Sequence, residues 1–96
     1  MEAPTGLLSV VTEKGGDIVH IHGDEVGLER LARIIEAVRE ELRRGECGHD
    51  HLRTAAWAGS ELTESMLAQE REAGATQVHH VKVYGWNPEW KRKHGL

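Results

Sequence analysis

Apolar residues dominate two short runs near the start of the chain, residues 7–12 and 18–22, both rich in β-branched and aliphatic side chains. The stretch Glu13, Lys14, Gly15, Gly16, Asp17 between them is turn-forming, so the pair predicts a β-hairpin. Within the second run Val19 and Ile21 share one face and His20 and His22 the other, because strand side chains alternate. The period then changes. Leu28, Leu31, Ile35, Val38 and Leu42 recur at spacings of three and four, with Ala32 and Ile34 beside them, which predicts an amphipathic helix. Asp24 is placed to cap its first turn, and Glu25 suits the positive N-terminal end. Arg43 and Arg44 suit the negative end, and Gly45 can stop the helix.

Glu29 with Arg33 and Glu40 with Arg44 are spaced as i,i+4 pairs that keep the outer face of this helix wet. The inner stripe needs a sheet beneath it, since a helix ordered alone gains too little to offset its lost conformational entropy. Residues 48–58 read as a third strand with Leu52, Thr54 and Ala56 inward and His51, Arg53 and Trp57 outward. Gly59 ends that run. Residues 60–75 read mostly as loop, because Leu62, Met66 and Leu67 fit a short helix or an irregular excursion equally well. A last strand over residues 77–86 sets His79, Val81 and Val83 against Val78, His80, Lys82, Tyr84 and Trp86. Asn87 and Pro88 end it.

These elements predict an α+β fold of two layers in ββαββ order. A four-stranded antiparallel or mixed sheet carries one long helix on one face. The expected organisation is a flexible N-terminus over residues 1–6, a single domain over 7–86, and a basic tail over 87–96 that frays or follows a partner. One sheet face should meet the helix through Val19, Ile21, Leu52, Val81 and Val83. The other should present His20, His22, His51, Arg53, Trp57, His80, Lys82, Tyr84 and Trp86. One helix cannot cover both sides of a sheet, so this second face should meet solvent, a loop or a partner. Trp, Tyr and Arg are enriched at binding hot spots, which makes these nine residues the candidate partner-binding surface. The competing reading buries Trp57 and Trp86 in a minor second core beneath residues 60–75. A homodimer formed through the same face lies between the two.

Composition narrows the class. A length of 96 residues fits one domain with little stability in reserve. The single cysteine, Cys47, excludes an intramolecular disulfide, and the opening Met-Glu-Ala-Pro lacks the basic start and apolar run of a secretion signal. No apolar stretch approaches the length that spans a bilayer, so the expectation is a soluble cytoplasmic protein without a membrane partner. Net charge is −4, and Lys91, Arg92 and Lys93 concentrate three bases near the end, so the body before them is more acidic still. An acidic body repels phosphate backbones, which argues against nucleic acid and for a cationic protein partner.

Seven histidines is a high count for this length. Cys47, His49 and His51 alternate, and His80, His20 or His22 from neighbouring strands could complete a tetrahedral set. No spacing of a recognised zinc signature is present, so the expectation is no metal and no cofactor. Cys47, His49, His51 and His80 are the best ligands if one binds. His79 is expected to point inward and satisfy itself by a hydrogen bond. Cys47 with His49, or Ser60 with a distant histidine, could be written as nucleophile and base, yet only residue type supports either pair. Gly45 and Gly48 do not form a phosphate loop. The expectation is that the chain is not an enzyme, with a His-rich metal-binding or hydrolytic domain as the alternative.

The strings Gly-Asp-Glu-Val-Gly-Leu-Glu-Arg-Leu at 23–31 and Gly-His-Asp-His-Leu at 48–52 carry a resemblance, as do Trp-Ala-Gly-Ser-Glu-Leu-Thr at 57–63 and His-Val-Lys-Val-Tyr-Gly-Trp at 80–86. In this order and spacing they resemble the immunity protein 32 family over most of residues 17–86. The resemblance implies a bacterial antitoxin of a polymorphic toxin system, whose activity is to bind and block a cognate protein toxin. The family's recurring positions correspond to His49, His51, Trp57, Glu61, Leu62 and the strand residues 81–86. The tail after Pro88 and residues 1–6 fall outside it.

Overall fold

The computed structural model describes residues 6–96. Residues 1–5 of the expected flexible N-terminus lie outside the described residues. Strands β1 (Leu8–Thr12) and β2 (Val19–Gly23) form the antiparallel hairpin, with Glu13 N–H donating to the Ile18 carbonyl at 2.9 Å across the turn. Helix α1 (Glu25–Arg43) follows. The Asp24 side chain accepts from Gly27 N–H at 2.8 Å, the cap its sequence position called for. A Cβ at Gly27 would run into the Leu7 carbonyl, so the bare Cα lets α1 start hard against β1.

Then come β3 (His49–Arg53), a 3₁₀ turn (Ala55–Trp57), α2 (Ala68–Glu72), β4 (Thr76–Val78), β5 (His80–Tyr84) and α3 (Pro88–Lys93). The fold is α+β, but the single four-stranded sheet expected from the pattern is two antiparallel sheets. One has three strands in the order β2-β1-β4, and the other pairs β3 with β5. The division falls at His79. Strict alternation back from Val81 would turn His79 inward and Val78 outward, yet Val78, Val81 and Val83 all pack on the core. The irregular residue between β4 and β5 resets the parity, as a bulge does, and the His79 carbonyl accepts from Thr54 N–H at 3.0 Å.

Leu62 wedges into the fork between the sheets. Its N–H donates to the Arg53 carbonyl at 3.1 Å, while the next N–H, of Thr63, donates to the Leu8 carbonyl at 2.7 Å. Leu8, Val10, Leu52 and Leu62 form the buried centre, with Leu31 and Ile34 of α1 packed against it. The inward stripe of α1 is thus Gly27, Leu31, Ile34 and Val38. Leu28 and Ile35, expected inside, are 46% and 42% exposed at its flanks. Helix α1 also leaves Val19 and Ile21 half open, each 54% exposed, although both were expected under it. A groove of about 320 Å³ runs there, lined by Val10, Val19, Ile21, Leu31, Val78 and Val81 among others.

Three further differences matter for the site. The third strand stops at Arg53, and Ala56, expected inward, is exposed with Trp57 in the 3₁₀ turn, while Thr54 stays buried. Residues 60–75 include α2 and lie over the three-stranded sheet: Ser9, fully buried, donates its hydroxyl to the Ser65 carbonyl at 2.6 Å. The tail forms α3, with Asn87 accepting from Trp90 N–H at 2.9 Å and Pro88 in the first turn, where its missing N–H costs nothing. No helix among the described residues is long and apolar enough to cross a membrane.

Candidate functional site

Pairing of β3 with β5 sorts their side chains onto two faces. Leu52 opposite Val81 and Asp50 opposite Val83 share the core side. His49 opposite Tyr84, His51 opposite Lys82, and Arg53 opposite His80 share the other. The rings on this second face form a continuous run. His49 stacks on Tyr84 with centroids 5.4 Å apart, meets His51 edge-on at 4.8 Å, and His51 stacks on His80 at 4.9 Å. Trp57 leans on His80 at 6.2 Å and lies parallel to His79 at 5.8 Å. Tyr84 and Trp57, at the two ends of the strip, are 56% and 55% exposed.

Within the run, His51 Nδ1 and His80 Nε2 are 2.7 Å apart, a hydrogen bond in which one ring donates and the other accepts. Burial, then the neighbouring charges of Arg53 and Lys82, hold both imidazoles below the ordinary histidine value. The middle of the strip is therefore a pair of imidazoles that favours the neutral form, edged by two cations. His79 Nδ1 is hydrogen-bonded to the Thr54 hydroxyl at 2.8 Å, and its ring stacks on Trp57.

Three of the nine candidate partner-binding residues are elsewhere. Trp86 follows the end of β5 and packs edge-on against Trp90 at 6.1 Å and His94 at 5.1 Å, so it anchors α3. His20 and His22 face away from α1 as alternation requires, but α2 lies over them. Glu70 of α2, 6% exposed, accepts from His20 Nδ1 at 2.5 Å and from His22 Nε2 at 2.8 Å through the same oxygen, Oε2. Its Oε1 accepts Leu67 N–H at 2.8 Å, and His20 Nε2 meets Glu13 Oε2 at 2.8 Å. Hydrogen bonds from His20, then from Leu67 N–H and His22, hold the Glu70 carboxyl down to about 2. Hydrogen bonds to Glu70 first and Glu13 second raise His20.

Cys47, His49, His51 and His80 do not converge on a common point. Among the described residues the three potential ligands that do are His20, His22 and Glu70, all within 4.8 Å of one another. The Ser60 hydroxyl meets Glu61, not a histidine. His49 belongs with the strip, and its parity with His51 marks it. Glu70 carries no such signal, because residues 60–75 have no regular period and nothing local shows which sheet they cover.

Fold and surface together define a small α+β protein with one covered and one open sheet. The family model described as Immunity protein 32 matches residues 18–81, and the chain belongs to that family. No curated protein and no solved structure matches it.

Proposed function

We propose that this chain is an immunity protein that binds and neutralises a cognate toxin protein, docking it on the open face of the β3–β5 sheet. The activity is binding without turnover, exercised in the cytoplasm of the producing cell. Family membership supports the role. One observation supports the location: the rings from Tyr84 through His49, His51 and His80 to Trp57 lie on a sheet face with both ends more than half exposed. The corresponding face of the three-stranded sheet is closed by residues 60–75. Flat rings supply contact area at low entropic cost, and Arg53 and Lys82 at the margin supply charged hydrogen-bond donors. The net negative charge of the chain acts at longer range, favouring encounter with a cationic toxin.

Co-expression with the toxin encoded beside the gene tests this directly. Rescue of growth and a stable complex are expected. Tyr84→Ala and Trp57→Ala should each weaken the complex about 30-fold or more, the scale of a hot-spot loss, while the free protein keeps its melting temperature. Unchanged affinity in both variants would remove the strip from the interface. Failure of every neighbouring toxin to be neutralised would remove the role.

A further inference from the structure

We propose that His20, His22 and Glu70 form a binding site for a divalent transition metal ion, zinc foremost. The backbone sets up two of the three ligands. His20 and His22 are two residues apart on β2, and their registration opposite Val11 and Ser9 of β1 turns both rings to the same face. The third comes from α2 on the opposing layer, so the site would join a sheet edge to the segment covering it.

Four features fit a metal better than a chance meeting of polar groups. His20 Nδ1 and His22 Nε2 converge on a single oxygen, Glu70 Oε2, with all three atoms inside 4.8 Å. Glu70 Oε1 is occupied by Leu67 N–H, which leaves Oε2 as a one-oxygen ligand. The far nitrogen of His20 is held by Glu13 at 2.8 Å, the carboxylate-to-imidazole contact that orients a metal-ligating histidine and makes it more basic. A cavity of about 400 Å³, lined by Glu13, Lys14, His20, His22, Leu67 and Glu70 among others, opens beside the cluster. It has room for water or another group as fourth ligand.

Two imidazoles and one carboxylate suit zinc, which takes nitrogen and oxygen ligands at about 2.0–2.2 Å in tetrahedral array. Zinc would replace the protons now shared between the rings and Oε2. The ligand atoms then need to spread only to roughly 3.3 Å apart, the edge of a tetrahedron with those bond lengths. The proposal is independent of the toxin-binding strip, whose histidines provide the internal control.

Full-length protein stripped with chelator and titrated with Zn²⁺ alone should bind one ion per chain by calorimetry and by competition with a chromophoric chelator. His22→Ala and His20→Ala should each lower affinity at least tenfold, and His51→Ala should leave it unchanged. Glu13→Gln, a substitution on an exposed turn that leaves the core untouched, should lower affinity about 10- to 100-fold as loss of an orienting carboxylate does. Its melting temperature without metal should barely move, so it answers the question even if a ligand variant does not fold. The absence of stoichiometric binding at 100 µM Zn²⁺, or binding lost with His51→Ala and retained with His22→Ala and Glu13→Gln, would overturn the site.

Discussion

Five of the seven histidines of this chain fall into two groups that share a residue type and little else. His20 and His22 lie under α2, bracketed by Glu70 and Glu13. His49, His51 and His80 lie on an open strip beside Arg53 and Lys82, with no carboxylate among the described residues hydrogen-bonded to any of these rings. Carboxylates raise His20, whereas burial and nearby cations lower His51 and His80. Neighbours set the role of an imidazole. The first group ties two layers together through Glu70, and the second offers an open ring surface to whatever docks.

Leu62 keeps these regions apart, and its removal should have the largest effect. It is 5% exposed and touches both sheets, so Leu62→Ala opens a cavity at the fork and should cost about 2–5 kcal/mol in denaturant unfolding. Amide exchange should then accelerate in β1 and β3 alike; acceleration in one sheet alone would mean that the wedge serves only that sheet. Glu70→Ala should come next and act on one side. Losing the anchor of α2 should lower the melting temperature by roughly 5 °C in a chain this size and expose β1 and β2 amides, while β3 and β5 keep their protection. Equal loss in both sheets would break the comparison.

Much of this contrast was legible in the chain, and the illegible part has a physical cause. Alternation put Leu52, Val81 and Val83 on one side and His51, Arg53, His80, Lys82 and Tyr84 on the other, because β3 and β5 are regular over their paired length. It failed at His79, where an inserted residue resets parity without any glycine or proline to announce it. The helix period was plain, but Ile34 and Ile35 are adjacent and equally apolar, so spacing alone could not choose which faces the core. Trp86 continued the strand pattern until Gly85 and Asn87 turned it toward α3. Glu70 is the extreme case: its partners lie 48 and 50 residues away, and it sits in a segment whose sequence has no periodic face.

Titration should sharpen the comparison with opposite signs. In metal-free protein, the stability contributed by His20, raised above 6.5, is fully present below pH 6.5 and lost as pH climbs through its folded value. That from Glu70 is present above 4.5 and lost as pH falls toward about 2. The cluster therefore contributes most between about pH 4.5 and 6.5. His51 and His80 are lowered, so the folded strip resists protonation, and stability is lost as pH falls below 6.5. Ring shifts followed by NMR should show His20 titrating above the ordinary value and His51 and His80 below it. One common midpoint for all three would dissolve the distinction.

The smallest effect should come from reversing a charge on the strip. Lys82 is exposed, and its charge helps to lower both His51 and His80, so Lys82→Glu replaces a repelling neighbour with an attracting one. Folding stability should change by no more than about 0.5 kcal/mol, as for most surface substitutions. The titrations of His51 and His80 should move upward, toward the behaviour of His20. Burial, the first cause of their lowering, is untouched, so they should stay short of it. If both rings titrate as before, burial and Arg53 keep the two imidazoles low without Lys82, which then serves only the partner. If they rise to meet His20, burial contributes little, and charge placement by itself separates the two groups.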